Sequence, residues 1–232
     1  MVEADGLVRV VREWVGERIS VLRETDADAP TRKYLYPHLV NTETLVRDLS
    51  QSRYHREADI ALRIAALSHD IDRAFPDKEV VFTYDPQKEM AYEGQYAAYK
   101  RRHSCVSAEI VSEFLAPYQP LPSLMQKVRH LVMNHDTALE DMPDFKQDLE
   151  IVRDADRISF FNDNLLTYLT THRGNTERIL AKLRYMYLEA TPDGRRIIQE
   201  NMSKAPPNTN NPTFYQMFAT NIVVEPPDVT PV

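Results

Sequence analysis

The feature that most constrains this chain is a set of polar side chains placed where a helix facing a core would carry Leu, Ile, Val or Phe. They are His38, the adjacent pair His69-Asp70, His103, His135 and Asp156. Residues spaced by roughly 4, 7 and 11 share one helical face, and all five segments pass that test. His38 leads Thr42, Leu45 and Leu49; His69 follows Leu62 and Ala66; His103 leads Val106, Ile110 and Phe114. His135 follows Leu124, Val128 and Leu131, and Asp156 follows Phe145, Leu149 and Val152. The same test directs His130, which shares its face with Gln126, Lys127 and Asn134, to the surface, and puts Asp154 on a mixed face beside Glu150 and Ile151. Burying a polar group without a partner costs on the order of 2–7 kcal/mol, so such exceptions ask for a common partner. A metal ion, or a pair of them, satisfies imidazoles and carboxylates together.

Taken singly, each member has a plainer explanation. A lone histidine on an apolar stripe is more often a hydrogen-bonded core residue than a ligand. An HD dipeptide is weak evidence too, since His135-Asp136 is a second one in the same chain. The ordered set, with one inward polar group on each of several helices, is what favours a metal.

Helices are expected because only 5 glycines occur in 232 residues, among long stretches of Ala, Leu, Glu and Arg. The pattern places them at about 5–23, 38–51, 56–71, 103–116, 121–136, 144–160, 174–190 and 192–202. The expected fold is all-α: a helical domain over 1–203, with a long Tyr- and Phe-rich connection at 73–102. Residues 204–232 read as a Pro-rich linker and irregular tail, open to packing on its own domain, to disorder, or to contact with a neighbouring subunit in an oligomer.

Net charge of −7 argues against an extended nucleic-acid surface, which needs clustered cations. Any anionic substrate must be met locally, and the dense basic run is Lys100-Arg101-Arg102, a solvated helix start on its plainer reading. No apolar run reaches the roughly 18 residues of a membrane span, and the single cysteine, Cys105, forms no internal disulfide. These features fit a cytoplasmic protein with no membrane partner. Cys105 reads as a small buried thiol rather than a nucleophile.

The order His38, then AALSHD ending in His69-Asp70, then VRDADR containing Asp156, resembles the H…HD…D signature of the HD-domain superfamily of metal-dependent phosphohydrolases. YPHLVNTETLVRDL is similar to that family's first His-bearing helix, and ALRIAALSHDIDR to its HD helix. HSCVSAEIVSEFL and VRHLVMNHD resemble the segments that carry further histidines in bimetallic members, so the likeness spans about residues 34–160. Asp72 stands where many members have glycine, which disfavours subgroups defined by that glycine.

The resemblance implies an HD-like helical bundle in which His38, His69, Asp70 and Asp156 hold one divalent ion. His103 and His135 would hold a second, with Asp70 bridging; the ion could be Mn, Fe, Ni, Co, Mg or Zn. It further implies Asp70 and Arg73 as catalytic residues, Arg73 contacting the phosphate of a small phosphorylated substrate such as a nucleotide. Tyr84, Tyr92, Tyr96 and Tyr99 are candidates to line the pocket, and Arg157 is a weaker phosphate contact. Two alternatives stay open. The same six residues also resemble the ligand set of HD-type di-iron oxygenases, and a non-catalytic ligand-sensing module would use the same scaffold, although its intact ligand set counts against that.

Overall fold

The computed structural model describes residues 4–25, 34–80, 82–83, 92–136, 145–171 and 176–204. Among them every regular element is helical, as the glycine count and periodicity predict. The order is α1 (Ala4–Thr25), α2 (Leu35–Tyr54), α3 (Ile60–Ser68), α4 (Tyr92–Leu115), α5 (Pro122–Asn134), α6 (Lys146–Ser159), α7 (Leu165–Thr171), α8 (Thr176–Leu188) and α9 (Pro192–Lys204). No helix among the described residues is long and apolar enough to cross a membrane. The tail beyond residue 204, and with it the oligomer expectation, lies outside the described residues.

The shortest of the central helices organises the rest. In α3 the residues Ala61, Leu62, Ile64, Ala65, Ala66, Leu67 and Ser68 are all buried, so it has no solvent face and can exist only inside a bundle. It packs against α1, α2, α5 and α6. Asp59 caps its start by accepting the Leu62 N–H at 3.0 Å. On one side Glu43 of α2, fully buried, takes Arg12 of α1 at 2.6 Å and Arg63 of α3 at 2.7 Å, so three helices share one carboxylate. Trp14 of α1 stacks on Phe114 of α4, with centroids 3.9 Å apart.

Three differences from the sequence expectation have physical causes. α4 begins at Tyr92 rather than near 103, so part of the expected 73–102 connection is helix. Its inward positions before and at the site include Gln95, Lys100 and His103, a buried polar stripe that hides the helix from any search for apolar periodicity. The expected 56–71 helix ends at Ser68, and residues Ile71–Ala74 form a 3-10 turn. Beyond α6 the chain does not stop but passes through a π-turn at Phe160–Asn164 into α7, a widened turn of the kind that recurs near functional sites.

Asp154, assigned to a mixed face, is fully buried and joins three elements. It accepts Arg53 of α2 at 2.6 Å, and the N–H of Thr191 at 2.9 Å together with the Thr191 hydroxyl. Thr191 precedes Pro192 at the start of α9 and receives the Gly194 N–H at 3.2 Å, so Asp154 fixes the cap that starts α9. A Cβ at Gly194 would come within 2.7 Å of the Asp154 carboxylate, which is why that turn carries glycine. Asp154→Ala leaves the Arg53 guanidinium buried with only a distant partner, and should destabilise the fold by about 3 kcal/mol. Denaturant unfolding of the metal-free protein measures it; a loss below about 0.5 kcal/mol contradicts this account.

Candidate metal centre

Two helices end in the same way. α3 closes on His69 and α5 on His135, each as the residue after the last helical turn. The last carbonyls of a helix lack intrahelical partners, and in both cases the imidazole supplies one. His69 Nδ1 donates to the Ala66 carbonyl at 2.9 Å, and His135 Nδ1 to the Val132 carbonyl at 2.7 Å. That bond holds a proton on Nδ1 and turns Nε2 forward. The next residue leaves the helix: Asp70 has φ −111° and ψ 22°. His69 and Asp70 would be about 100° apart on a continuing helix, and the break lets both serve one region.

Around Asp70 the candidates converge. On one side His38 Nε2 and His69 Nε2 are 3.3 Å apart, and Asp156 Oδ1 lies 3.2 Å from the first and 3.4 Å from the second. On the other, Asp70 Oδ1 lies 2.8 Å from His103 Nε2 and 3.6 Å from His135 Nε2. His38, His69 and Asp70 form one group able to hold a cation; Asp70, His103 and His135 form another. Every member is buried, as is Asp156.

The other two imidazoles are also held from behind. His103 Nδ1 donates to Asp72 Oδ2 at 2.8 Å, and Asp72 Oδ1 takes the Ser107 hydroxyl at 3.0 Å. His38 Nδ1 meets Ser159 Oγ at 2.9 Å. The Ser159 hydroxyl faces Asp163 Oδ2 at 2.8 Å and the His38 carbonyl at 3.2 Å, both acceptors, so its proton is directed there and its oxygen accepts from His38. Asp163 is steadied in turn by Asn41 at 2.6 Å. All four rings therefore carry a proton on Nδ1 and aim Nε2 at the same interior.

That donor set fits a divalent metal. His135 Nε2 is buried with no hydrogen-bond partner, an orphan that coordination would satisfy. Imidazole nitrogen plus carboxylate oxygen suits Zn, Fe, Mn, Co and Ni. Without a metal, protons and cations do the balancing. Burial alone would push His135 down, but Asp136 and then Asp70 lift it to about 10. His103 is raised in the same way, burial opposing and Asp70 prevailing. Burial works against ionisation of Asp70, yet Arg73, His69 and His103 hold it well below the usual carboxylate range.

A family model described as HD domain matches residues 35–160, more than half of the chain. The chain belongs to the HD domain family. No curated protein and no solved structure matches it. HD domains form a superfamily of metal-dependent phosphohydrolases, and the matched span runs from the first residues of α2 to the end of α6, enclosing all six candidate ligands.

The HD domain brings together His38, His69, Asp70, His103, His135 and Asp156, as the faces of their helices predict. Arg73 sits at the edge, 35% exposed, with Nη1 on Asp70 Oδ2 at 2.8 Å. The basic run is split: Arg101 and Arg102 are exposed, while Lys100 is buried against Asp136. Tyr99 stacks on His103 at 6.0 Å; Tyr84 and the Tyr92 side chain lie outside the described residues. His130 is half-buried against Phe145 rather than turned to solvent, because the start of α6 covers it, and it takes no part in the centre. Cys105 is half-buried and free.

Two site residues escaped the sequence analysis. Asp136 Oδ2 lies 3.3 Å from His135 Nε2 and 3.9 Å from His103 Nε2. Asp72 backs His103. The second HD dipeptide signalled the first, since it ends its helix as His69-Asp70 does; nothing in the periodicity signalled Asp72.

Two outcomes follow from these contacts. A cation entering the second group must displace the protons on His103 and His135, so metal affinity should rise with pH between about 6.5, the ordinary histidine value, and 10. The sign reverses for the metal-free fold: groups with raised pKa stabilise it below about 6.5 and lose that contribution as pH climbs toward 10. Calorimetric metal titrations across that range, with proton release followed in parallel, check both; flat affinity refutes the reading. Asp72→Ala should weaken the second group by roughly 10–100-fold while the His38 group keeps its metal. Metal analysis after dialysis reads the difference.

Proposed function

We propose that this HD domain hydrolyses the phosphate ester of a nucleotide or another small phosphorylated metabolite. The observation that carries the reading is the position of Asp70, shared between two groups that can each hold a cation, with Arg73 anchored on its outer oxygen at the solvent edge. In this reading His38, His69, Asp70 and Asp156 hold one divalent ion, and Asp70, His103 and His135 hold another. Bound there, the ions polarise a phosphoryl oxygen and lower the pKa of a water molecule toward neutrality.

The chain's own groups supply the rest. Asp70, held ionised among cations, keeps both groups in register and shares its charge between them. Arg73 offers a planar guanidinium, suited to bidentate phosphate contact, and its part exposure lets it release Asp70 Oδ2 for a substrate oxygen. Burial of the four imidazoles excludes bulk water, which strengthens every charge interaction in the site. The reaction replaces the bond from phosphorus to the ester oxygen by one from phosphorus to a water oxygen; the leaving oxygen takes a proton.

The test is metal-free protein reloaded with Mn, Co, Ni, Mg or Fe and offered phosphomonoesters, nucleotides and phosphodiesters. Turnover should appear with metal and vanish in His69→Ala. Asp70→Ala should lose metal from both groups, whereas His103→Ala should lose it from one, as counted by elemental analysis. Arg73→Ala should lower kcat/KM by roughly 10–100-fold, the loss of one charge-assisted contact, with metal content unchanged. If every phosphate is inert and iron-loaded protein consumes oxygen with a small hydroxylated or phosphonate compound, oxygenation replaces hydrolysis.

A further inference from the structure

On α8 stands a lysine, Lys182, that the hydrolytic reading does not use. The Lys182 ammonium lies 5.3 Å above the Phe160 ring and 5.8 Å from the Tyr185 ring, and bonds the Tyr96 hydroxyl at 3.4 Å. Phe160 follows Asp156 by one helical turn, whereas Tyr96 precedes His103 on α4. Lys182 thus spans from the helix of one cation group to the helix of the other. Tyr185, one turn along α8 on the same face, donates its hydroxyl to the Asp136 carbonyl at 3.1 Å and pins α8 beside the end of α5.

We propose that Lys182 binds a second anionic group of the substrate, so that the preferred substrates are phosphorylated metabolites carrying two acidic groups. The proposal rests on the hydrolytic reading. The argument is one of partners. Each carboxylate of the site is already engaged: Asp70 by Arg73, Asp136 by Lys100, Asp156 by His38 and His69, and Asp72 by His103 and Ser107. Among the described residues Lys182 makes no ion pair, and its neighbours are aromatic rings and another ammonium, Lys100, which sits 5.7 Å from the same Tyr185 ring. Burial and then Lys100 push the Lys182 pKa down and outweigh the more distant Asp136 and Asp156 charges, which act the other way.

A second surplus cation stands behind it. Arg157, fully buried, leaves Nε and Nη2 without partners, and its charge reaches the Tyr185 hydroxyl. Tyr96 feels the same excess: burial pushes its phenol up, but Lys182 and Lys100 prevail and bring it below its ordinary value. An anion brought to this wall removes a cost already present in the protein. Lys182 lies on α8, beyond the span matched by the family model, so this feature belongs to this chain rather than to the HD core.

Matched pairs test it in the metal-loaded full chain: a nucleoside monophosphate against its diphosphate, and a hexose monophosphate against its bisphosphate. Wild type should favour the two-anion member of at least one pair by roughly 10–100-fold in kcat/KM, the worth of one charge-assisted contact. Lys182→Met should erase that preference through KM and leave one-anion substrates unchanged, while Lys182→Arg retains most of it. The methionine variant should melt no lower than wild type, since it replaces a half-buried ammonium without an ion pair by an apolar side chain. A preference that is absent, or that survives Lys182→Met, overturns the proposal. Calorimetric binding of methylphosphonate and methylenediphosphonate separates it from the hydrolytic reading. A preference for the diphosphonate that depends on Lys182, without turnover of any phosphate, keeps the proposal and fells hydrolysis. Binding indifferent to Lys182 fells the proposal even if hydrolysis is observed.

Discussion

Asp70 is the charge on which the rest of the structure depends. It is 4% exposed and lies at the end of a nine-residue helix with no polar face of its own. A carboxylate in that position is tolerable only if cations surround it. The fold meets the requirement by drawing α2, α4, α5 and α6 around the end of α3, each delivering an imidazole or a carboxylate to the same interior. Helix packing and site assembly are therefore one constraint. The apolar sides of α3 hold the bundle together, and its polar end fixes what the bundle encloses.

The chain solves the local problem of aiming an imidazole twice with one device. Ending a helix on His-Asp lets Nδ1–H satisfy a carbonyl that the helix leaves open and frees the following Asp from helical geometry. α3 and α5 both end this way, and they pack against each other, so two HD dipeptides face one another across Asp70. Their carboxylates then diverge in partner. Asp70 meets Arg73 at the solvent edge, while Asp136 meets Lys100 in the interior. The divergence puts one carboxylate against a half-exposed guanidinium and the other against a buried ammonium.

Legibility in the sequence followed periodicity. His38, His69, His103, His135 and Asp156 were readable because each interrupts an apolar stripe, and the stripe identifies the face even when the residue is polar. Asp72 and Glu43 were not readable. Each is buried by partners from other helices, His103 and Ser107 for the first, Arg12 and Arg63 for the second, and long-range pairing leaves no local spacing. The first half of α4 was lost for a related reason: its inward positions line the centre and are polar, so the rule that finds helices fails where a helix builds a site. Asp154, on a mixed face, is buried because Arg53 and Thr191 close over it, which periodicity alone does not reveal.

Charge is the final link from sequence to chemistry. The whole chain is acidic, at −7, yet among the described residues Lys182 makes no ion pair and Arg157 leaves Nε and Nη2 without partners. At physiological salt, charges separated by more than about 8 Å are largely screened. The repulsion between a distant acidic surface and an anionic ligand therefore fades, while attraction inside a desolvated pocket persists. Lys100 lies 5.7 Å from the Tyr185 ring and Lys182 5.3 Å from the Phe160 ring, so an aromatic face takes the place of water beside each ammonium. A divalent ion that replaced the two protons on His103 and His135 would leave the charge of the interior unchanged while fixing it at one point between them. If the proposed function holds, these cations are how an acidic chain would select an anionic substrate without a basic surface.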